Sequence, residues 1–175
     1  MNLLIGNSIC NLMKCSTGKS WKSSVSIIRN VIATSHQTHA DDEVFVSRLS
    51  EPKRQGIVIL NLNRPQARNS LSRSMAKLLV NNMEQLMKDP EIRILVIRSV
   101  VPNAFCAGAD LKERLNMSES EIPPFVARLR WIANAIHDFP LPTIAAVDGA
   151  AIGGGLEYAL ACDMRVVSAE AKLGM

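Results

Sequence analysis

Aromatic residues are scarce in this chain: two tryptophans, one tyrosine and four phenylalanines among 175 residues. Its core must therefore be aliphatic, because 47% of the sequence is nonetheless hydrophobic. No apolar run approaches the roughly eighteen residues of a membrane-spanning helix, so no membrane partner is expected. The four cysteines, at 10, 15, 106 and 162, have no metal-ligand spacing, and no metal site is expected. Cys106 and Cys162 read as small apolar fillers, and no histidine lies near enough in sequence to make Cys106 a nucleophile. Nucleotide-binding glycine patterns are missing too. Gly153 and Gly155 need a third glycine where Tyr158 stands, and the GKS at Gly18–Ser20 has Met13 where a P-loop requires glycine. No cofactor is expected.

Acidic residues are absent from residues 1–40, which hold Lys14, Lys19, Lys22 and Arg29. That segment carries the whole net charge of +4, since the sixteen basic residues beyond it match sixteen acidic ones. An acid-free, Ser-rich, basic leader has the composition of a mitochondrial transit peptide. Trp21, Val25, Ile28 and Ile32 recur at helical spacing within it. The expected organisation is a transit peptide over 1–40, a mitochondrial matrix location, and one domain over 41–175.

Along that domain, strands and helices alternate, which predicts an α/β fold. Val44–Ser50 and Gly56–Asn63 are β-branched-rich and separated by EPKRQ, the pattern of a hairpin. Ser72 reads as an N-cap, followed by a helical stripe of Met75, Leu78, Leu79, Met83 and Leu86 that stops at Asp89–Pro90. Ile92–Arg98 reads as a strand buried on both faces. A helix over about 124–138 has Phe125, Leu129, Ile132 and Ile136 on its core side, with His137 as a surface residue. Thr143–Val147 is a buried strand, Leu156–Ala161 a helix and Arg165–Ser168 a short strand.

Two segments carry chemistry. In PTIAAVDGAAIGGGLEYALACDMR, a buried strand runs into Gly153–Gly155 and a helix with Glu157 on its first turn. Such a turn aims backbone N–H groups at developing negative charge, though close packing alone also demands glycine. Glu157, beside apolar Leu156, reads as a proton carrier with an adjustable pKa. In FCAGADLKER, small residues let a ligand approach the backbone, and Asp110 doubles as a cap for a helix starting at Leu111. Two converging donors and a carboxylate point to chemistry on a carbonyl or thioester. Arg68, Arg73 and Lys77 form a basic row that is either a solvated face or a phosphate contact.

NRPQARNSLS, FCAGADLKER and PTIAAVDGAAIGGGLEYALACDMRV together resemble the enoyl-CoA hydratase/isomerase (crotonase) superfamily, over about residues 44–175. The resemblance implies a spiral of ββα units, here its N-terminal part, assembling as trimers or dimers of trimers. It implies an acyl-CoA thioester substrate whose oxygen is held by the backbone N–H groups of Ala107 and Gly154. Ala107, Gly108, Ala109, Asp110 and Leu111 would line the adenine and pantetheine end of coenzyme A. Ala67 and Arg68 would approach from the other side, with Arg68 near the phosphates. Glu157 would be the first of two glutamates that activate water, the second falling at position 177, two residues past Met175. The chain is thus expected to be an incomplete domain. Its pieces look most like the members that hydrate 3-methylglutaconyl-CoA in leucine breakdown and bind AU-rich RNA. That likeness makes Arg68, Arg73 and Lys77 candidate RNA contacts. A paralogous group acting on another acyl-CoA, or a non-catalytic binding form, is the alternative.

Overall fold

A computed structural model describes residues 42–175. The transit-peptide expectation lies outside the described residues. Val44–Arg48 (β1) and Ile57–Leu62 (β2) form the antiparallel hairpin that their alternating β-branched residues predict. Arg73–Leu86 (α1) follows, and the Ser72 hydroxyl accepts the Met75 N–H at 3.1 Å, a cap worth about 1 kcal/mol. Its buried stripe is Met75, Ala76, Leu79, Met83 and Leu86. Ala76 thus takes the fully buried place expected of Leu78, which is half-buried.

Ile94–Ser99 (β3) runs parallel to β2, and Asn103–Cys106 (β4) leaves it for a second sheet. Leu111–Leu115 (α2) and Ile122–His137 (α3) come next, then Thr143–Val147 (β5), Gly149–Ile152 (β6), Gly154–Ala161 (α4), Met164–Val167 (β7) and Leu173–Gly174 (β8). The larger sheet has the order β1-β2-β3-β5-β7, the smaller β4-β6-β8. Each successive turn of chain adds one parallel strand to each sheet, in step: β3 with β4, β5 with β6, β7 with β8.

The expectation that β3 is buried on both faces needs correcting. Leu95 and Ile97 are buried, whereas Ile94, Val96 and Arg98 are half-buried. Registered rows, Val58–Leu95–Thr143 and Leu60–Ile97–Ala145, point one way into the core. There Leu60, Leu95 and Ile97 join Met75, Leu79, Phe125 and Ile132 of α1 and α3 in one aliphatic cluster. A strand covered by helices on one side alternates; only one covered on both reads as continuous burial. On the other face Arg98 lies over Asn61, its Nε donating to Asn61 Oδ1 at 2.7 Å.

Most of the smaller sheet is built from residues with little β-propensity, among them Ala104, Cys106, Gly149, Ala150 and Ala151. Close approach explains them. A Cβ at Gly149 would lie 2.2 Å from the Asn103 carbonyl carbon. One at Gly155, on the first turn of α4, would lie 2.3 Å from Cys106 O.

Candidate active site

Because β4 and β6 are parallel neighbours, with Cys106 paired to Ala151, their C-terminal ends open side by side. Ligands of parallel sheets bind at such ends. From β4 emerges the 107–110 loop, and from β6 the 153–154 turn into α4. Gly108, at φ +80, is where they touch: a Cβ there would sit 2.8 Å from Ile152 O and 3.4 Å from Gly154 N. No L-residue with a side chain adopts that backbone and that spacing cheaply. Gly153, at φ +49, then turns the chain so that α4 begins with the Gly154 N–H, which has no partner among the described residues. The Glu157 carboxylate reaches back along the first turn of α4, its Oε2 lying 3.9 Å from the Cβ position of Gly154.

The 64–71 segment, between β2 and α1, supports this junction from below. Arg68 and Asn69 both have positive φ, +48 and +56. The Asn69 side chain, fully buried, accepts the Arg64 N–H at 2.7 Å and donates to Phe105 O at 2.9 Å and Ser99 Oγ at 2.7 Å. Leu71 bridges to Ala109 in parallel fashion: its N–H donates to Gly108 O at 2.7 Å and its carbonyl accepts the Asp110 N–H at 3.1 Å. A parallel bridge of this kind employs the groups on either side of Ala109 and leaves the Ala109 N–H pointing away. That amide has no partner among the described residues.

The same register corrects the expectation for Ala107. Its N–H donates to Arg68 O at 3.1 Å and is therefore already engaged. The two residues look alike in AGAD; only the pairing with Leu71 tells them apart.

Asp110 caps α2 through Glu113 N at 3.2 Å, as the sequence allows, and also accepts Arg64 Nη1 at 2.7 Å and Ser70 Oγ at 3.2 Å. Burial by itself would raise this carboxyl. The Arg64 guanidinium and the Glu113 and Ser70 donors outweigh it and hold Asp110 below its ordinary value. Arg64 Nε lies 2.9 Å from Glu43 Oε1, close enough for charge pairing although its N–H points off the carboxylate. Sequence reasoning passed over Arg64, Asn69 and Ser70. Arg64 and Asn69 lie in NRPQARN and Ser70 directly after it, a stretch that drew notice only as part of a motif.

A groove of about 710 Å³ runs beside the loop, lined among others by Ala67, Ala107, Ala109, Asp110 and Leu111. Arg64, Ser70, Ser72 and Lys112 add polar edges to it. Gly154 and Glu157 do not line this groove. Of the residues assigned to coenzyme A, Arg68 is exposed but outside the lining, and Gly108 serves the loop-to-loop contact instead.

Glu157 is exposed, contrary to the apolar setting expected for it, because within 42–175 nothing packs over the first turn of α4 on that side. Its neighbours are enclosed. The Tyr158 hydroxyl donates to Leu129 O at 3.2 Å, and burial, with Cys106 and Glu157 nearby, pushes its pKa up. Burial likewise lifts the Cys106 thiol to about 12, against the opposing Gly108 N–H. Its Sγ donates to Asn69 O at 3.0 Å, so Cys106 is a packed thiol and no nucleophile.

The basic row is not uniform. Arg73 pairs through Nε with Glu113 Oε1 and through Nη1 with Glu121 Oε1, each at 2.7 Å. Two carboxylates thus answer its charge, and among the described residues only Arg68 and Lys77 of the three have no ion pair.

The model of the enoyl-CoA hydratase/isomerase family matches residues 52–175. Mitochondrial methylglutaconyl-CoA hydratase of Homo sapiens is 50% identical over 141 residues, covering 81% of this chain and 41% of that protein. Mitochondrial enoyl-CoA hydratase domain-containing protein 2 of Homo sapiens is 51% identical over 133 residues, 76% of this chain and 45% of that protein. The chain therefore spans less than half the length of either relative. Among solved structures, an enoyl-CoA hydratase from Bacillus anthracis superposes with a TM-score of 0.70 at 35% identity, over 75% of this chain and 50% of the other.

Proposed function

Since the chain belongs to the enoyl-CoA hydratase/isomerase family and carries part of its crotonase-like spiral, we propose that it serves the hydration of an α,β-unsaturated acyl-CoA. The observation that carries this reading is the Gly108 contact, which sets the loop bearing the free Ala109 amide against the Gly154 amide at the N-terminus of α4, near Glu157. Addition of water to a conjugated thioester moves the C=C electron pair onto the thioester oxygen as the new C–O bond forms at the β-carbon. Two backbone donors aimed at that oxygen stabilise the enolate-like state, each by about 3 kcal/mol where such donors have been removed. The Ala109 N–H takes the role first assigned to Ala107, with Gly154 as the other donor.

The Glu157 carboxylate accepts a proton from the attacking water. The α-carbon then receives a proton from a second acid, for which the family resemblance implies a glutamate at position 177. We assign 3-methylglutaconyl-CoA as substrate, supported by the 50% identity to the human hydratase of that name. The test is to follow the absorbance of the conjugated thioester with this chain, extended to supply a glutamate at position 177, and either 3-methylglutaconyl-CoA or a straight-chain enoyl-CoA. Faster loss with the former is expected. Preference for the straight chain would overturn the substrate assignment alone, and no loss with either would overturn the hydratase reading.

A mitochondrial matrix location is proposed on the basic, acid-free leader and on the mitochondrial names of both human relatives. Residues 1–40 fused to a fluorescent reporter should carry it into the matrix; a cytosolic reporter would refute this.

A further inference from the structure

Every residue from Phe105 to Asp110 except Ala109 is hydrogen-bonded to the 64–71 segment. Phe105 O takes the Asn69 amide, Cys106 Sγ reaches Asn69 O, Ala107 N–H reaches Arg68 O, Gly108 O takes Leu71 N–H, and Asp110 meets Leu71 O and Arg64. Within the loop, the Ala107 and Asp110 amides are thus engaged while the Ala109 amide between them has no partner among the described residues.

Asn69 is the centre of this lattice. It has no exposed surface, so it cannot touch a substrate in the groove. Its φ of +56 is a backbone state that Asn tolerates better than most residues with a Cβ. That state turns its carbonyl to the Cys106 thiol and its side chain to Phe105 O, with Arg64 N held at the other end of the amide. One side chain therefore joins β3 (through Ser99), β4 (through Phe105) and the 64–71 turn. We propose that Asn69 is a positioning residue for the reaction: it locks turn and loop into one rigid piece, and so fixes the direction of the Ala109 N–H toward the thioester oxygen.

This proposal rests on the hydratase reading and asks which residue gives that site its geometry. Misplacement of a reacting group by about 1 Å costs on the order of a hundredfold in rate. The test compares Asn69→Gly, which keeps the positive φ but deletes the side chain, with Asn69→Asp. The latter keeps the acceptor for Arg64 N and sets a carboxylate oxygen against Phe105 O. Both should lower kcat about ten- to a hundredfold at unchanged KM, with Asp at least as severe as Gly. If Gly retains full kcat, only the φ matters and the proposal fails. If KM rises with kcat intact, the effect is on binding and the proposal fails again.

A second readout keeps the question separate from turnover and from gross unfolding. Residue-resolved amide exchange in Asn69→Gly should speed at least tenfold at Ala107 and Asp110, and stay unchanged along β5. Equal acceleration everywhere means that Asn69 merely stabilises the fold, and unchanged exchange at 107 and 110 means that it braces nothing; either overturns the proposal. Should the chain with Asn69 intact and a glutamate supplied at position 177 turn over no enoyl thioester, the hydratase reading fails by itself, and the exchange experiment still decides whether Asn69 orders the loop.

Discussion

Glu157→Gln is expected to lower turnover of the enoyl thioester by about a hundredfold or more, with acyl-CoA affinity unchanged. Glutamine keeps the shape of the side chain and can still hydrogen-bond to water, but it cannot take a proton from it. The exposure of Glu157 makes the experiment clean. Exposed substitutions away from caps and buried networks change stability by no more than about 0.5 kcal/mol, and the lost charge–dipole attraction at the start of α4 is of similar size. A large fall in kcat with an unshifted melting curve can then only come from the chemistry. Steady-state rates and calorimetric binding of a saturated acyl-CoA would check this. Turnover within a few-fold of the unaltered chain would remove Glu157 from the mechanism.

Gly149→Ala is expected to be severely damaging, costing about 3 kcal/mol or more. The added carbon would lie 2.2 Å from Asn103 C, 2.3 Å from Ala104 N and 2.6 Å from Asn103 O, all of them backbone atoms of the adjoining strand. Overpacking normally costs about 1–3 kcal/mol because side chains rotate out of the way. Here no side chain can yield, and β4 would have to leave β6, taking the 107–110 loop with it. Gly153→Ala supplies the contrast. With φ +49 and ψ −124 its backbone lies outside the wells open to L-residues, a strain of about 1–3 kcal/mol, yet a Cβ there meets nothing within 4 Å. Urea midpoints for the two variants should separate clearly; a milder effect at 149 than at 153 would contradict the sheet geometry.

Most of the larger sheet and its helices was legible in the sequence. Val58, Leu60 and Leu62 alternate with polar or β-branched neighbours, Ser72 caps where a cap is needed, and Phe125, Ile132 and Ile136 keep helical spacing. The smaller sheet was not, because alanine, cysteine and glycine make up most of its strands. These residues are chosen for how near two backbones come, and nearness is a property of the partner strand. The site divided along the same line. Glycine before a helix and a glutamate on its first turn are local signals, and the structure has Gly154 opening α4 and Glu157 on its first turn. Choosing between Ala107 and Ala109 required knowing that Leu71 pairs with the loop, a contact of about forty residues' separation that no periodicity records. Arg64 and Asn69 were hidden for the same reason: their partners, Asp110, Ser99 and Phe105, come from elsewhere in the chain.

The stepwise growth of the two sheets makes the domain a short stack, in which β3 and β4 meet β5 and β6, these meet β7 and β8, and α1, α3 and α4 follow in the same order. In such an array stability is close to a sum of terms between adjacent layers. The Ala109 amide belongs to one layer and the Gly154 amide to the next. A thioester oxygen shared between them is then a rung joining two layers, and at a hundred times its dissociation constant would reinforce that one seam by about 2.7 kcal/mol. Substrate recognition and cohesion of the stack meet in the same pair of hydrogen bonds.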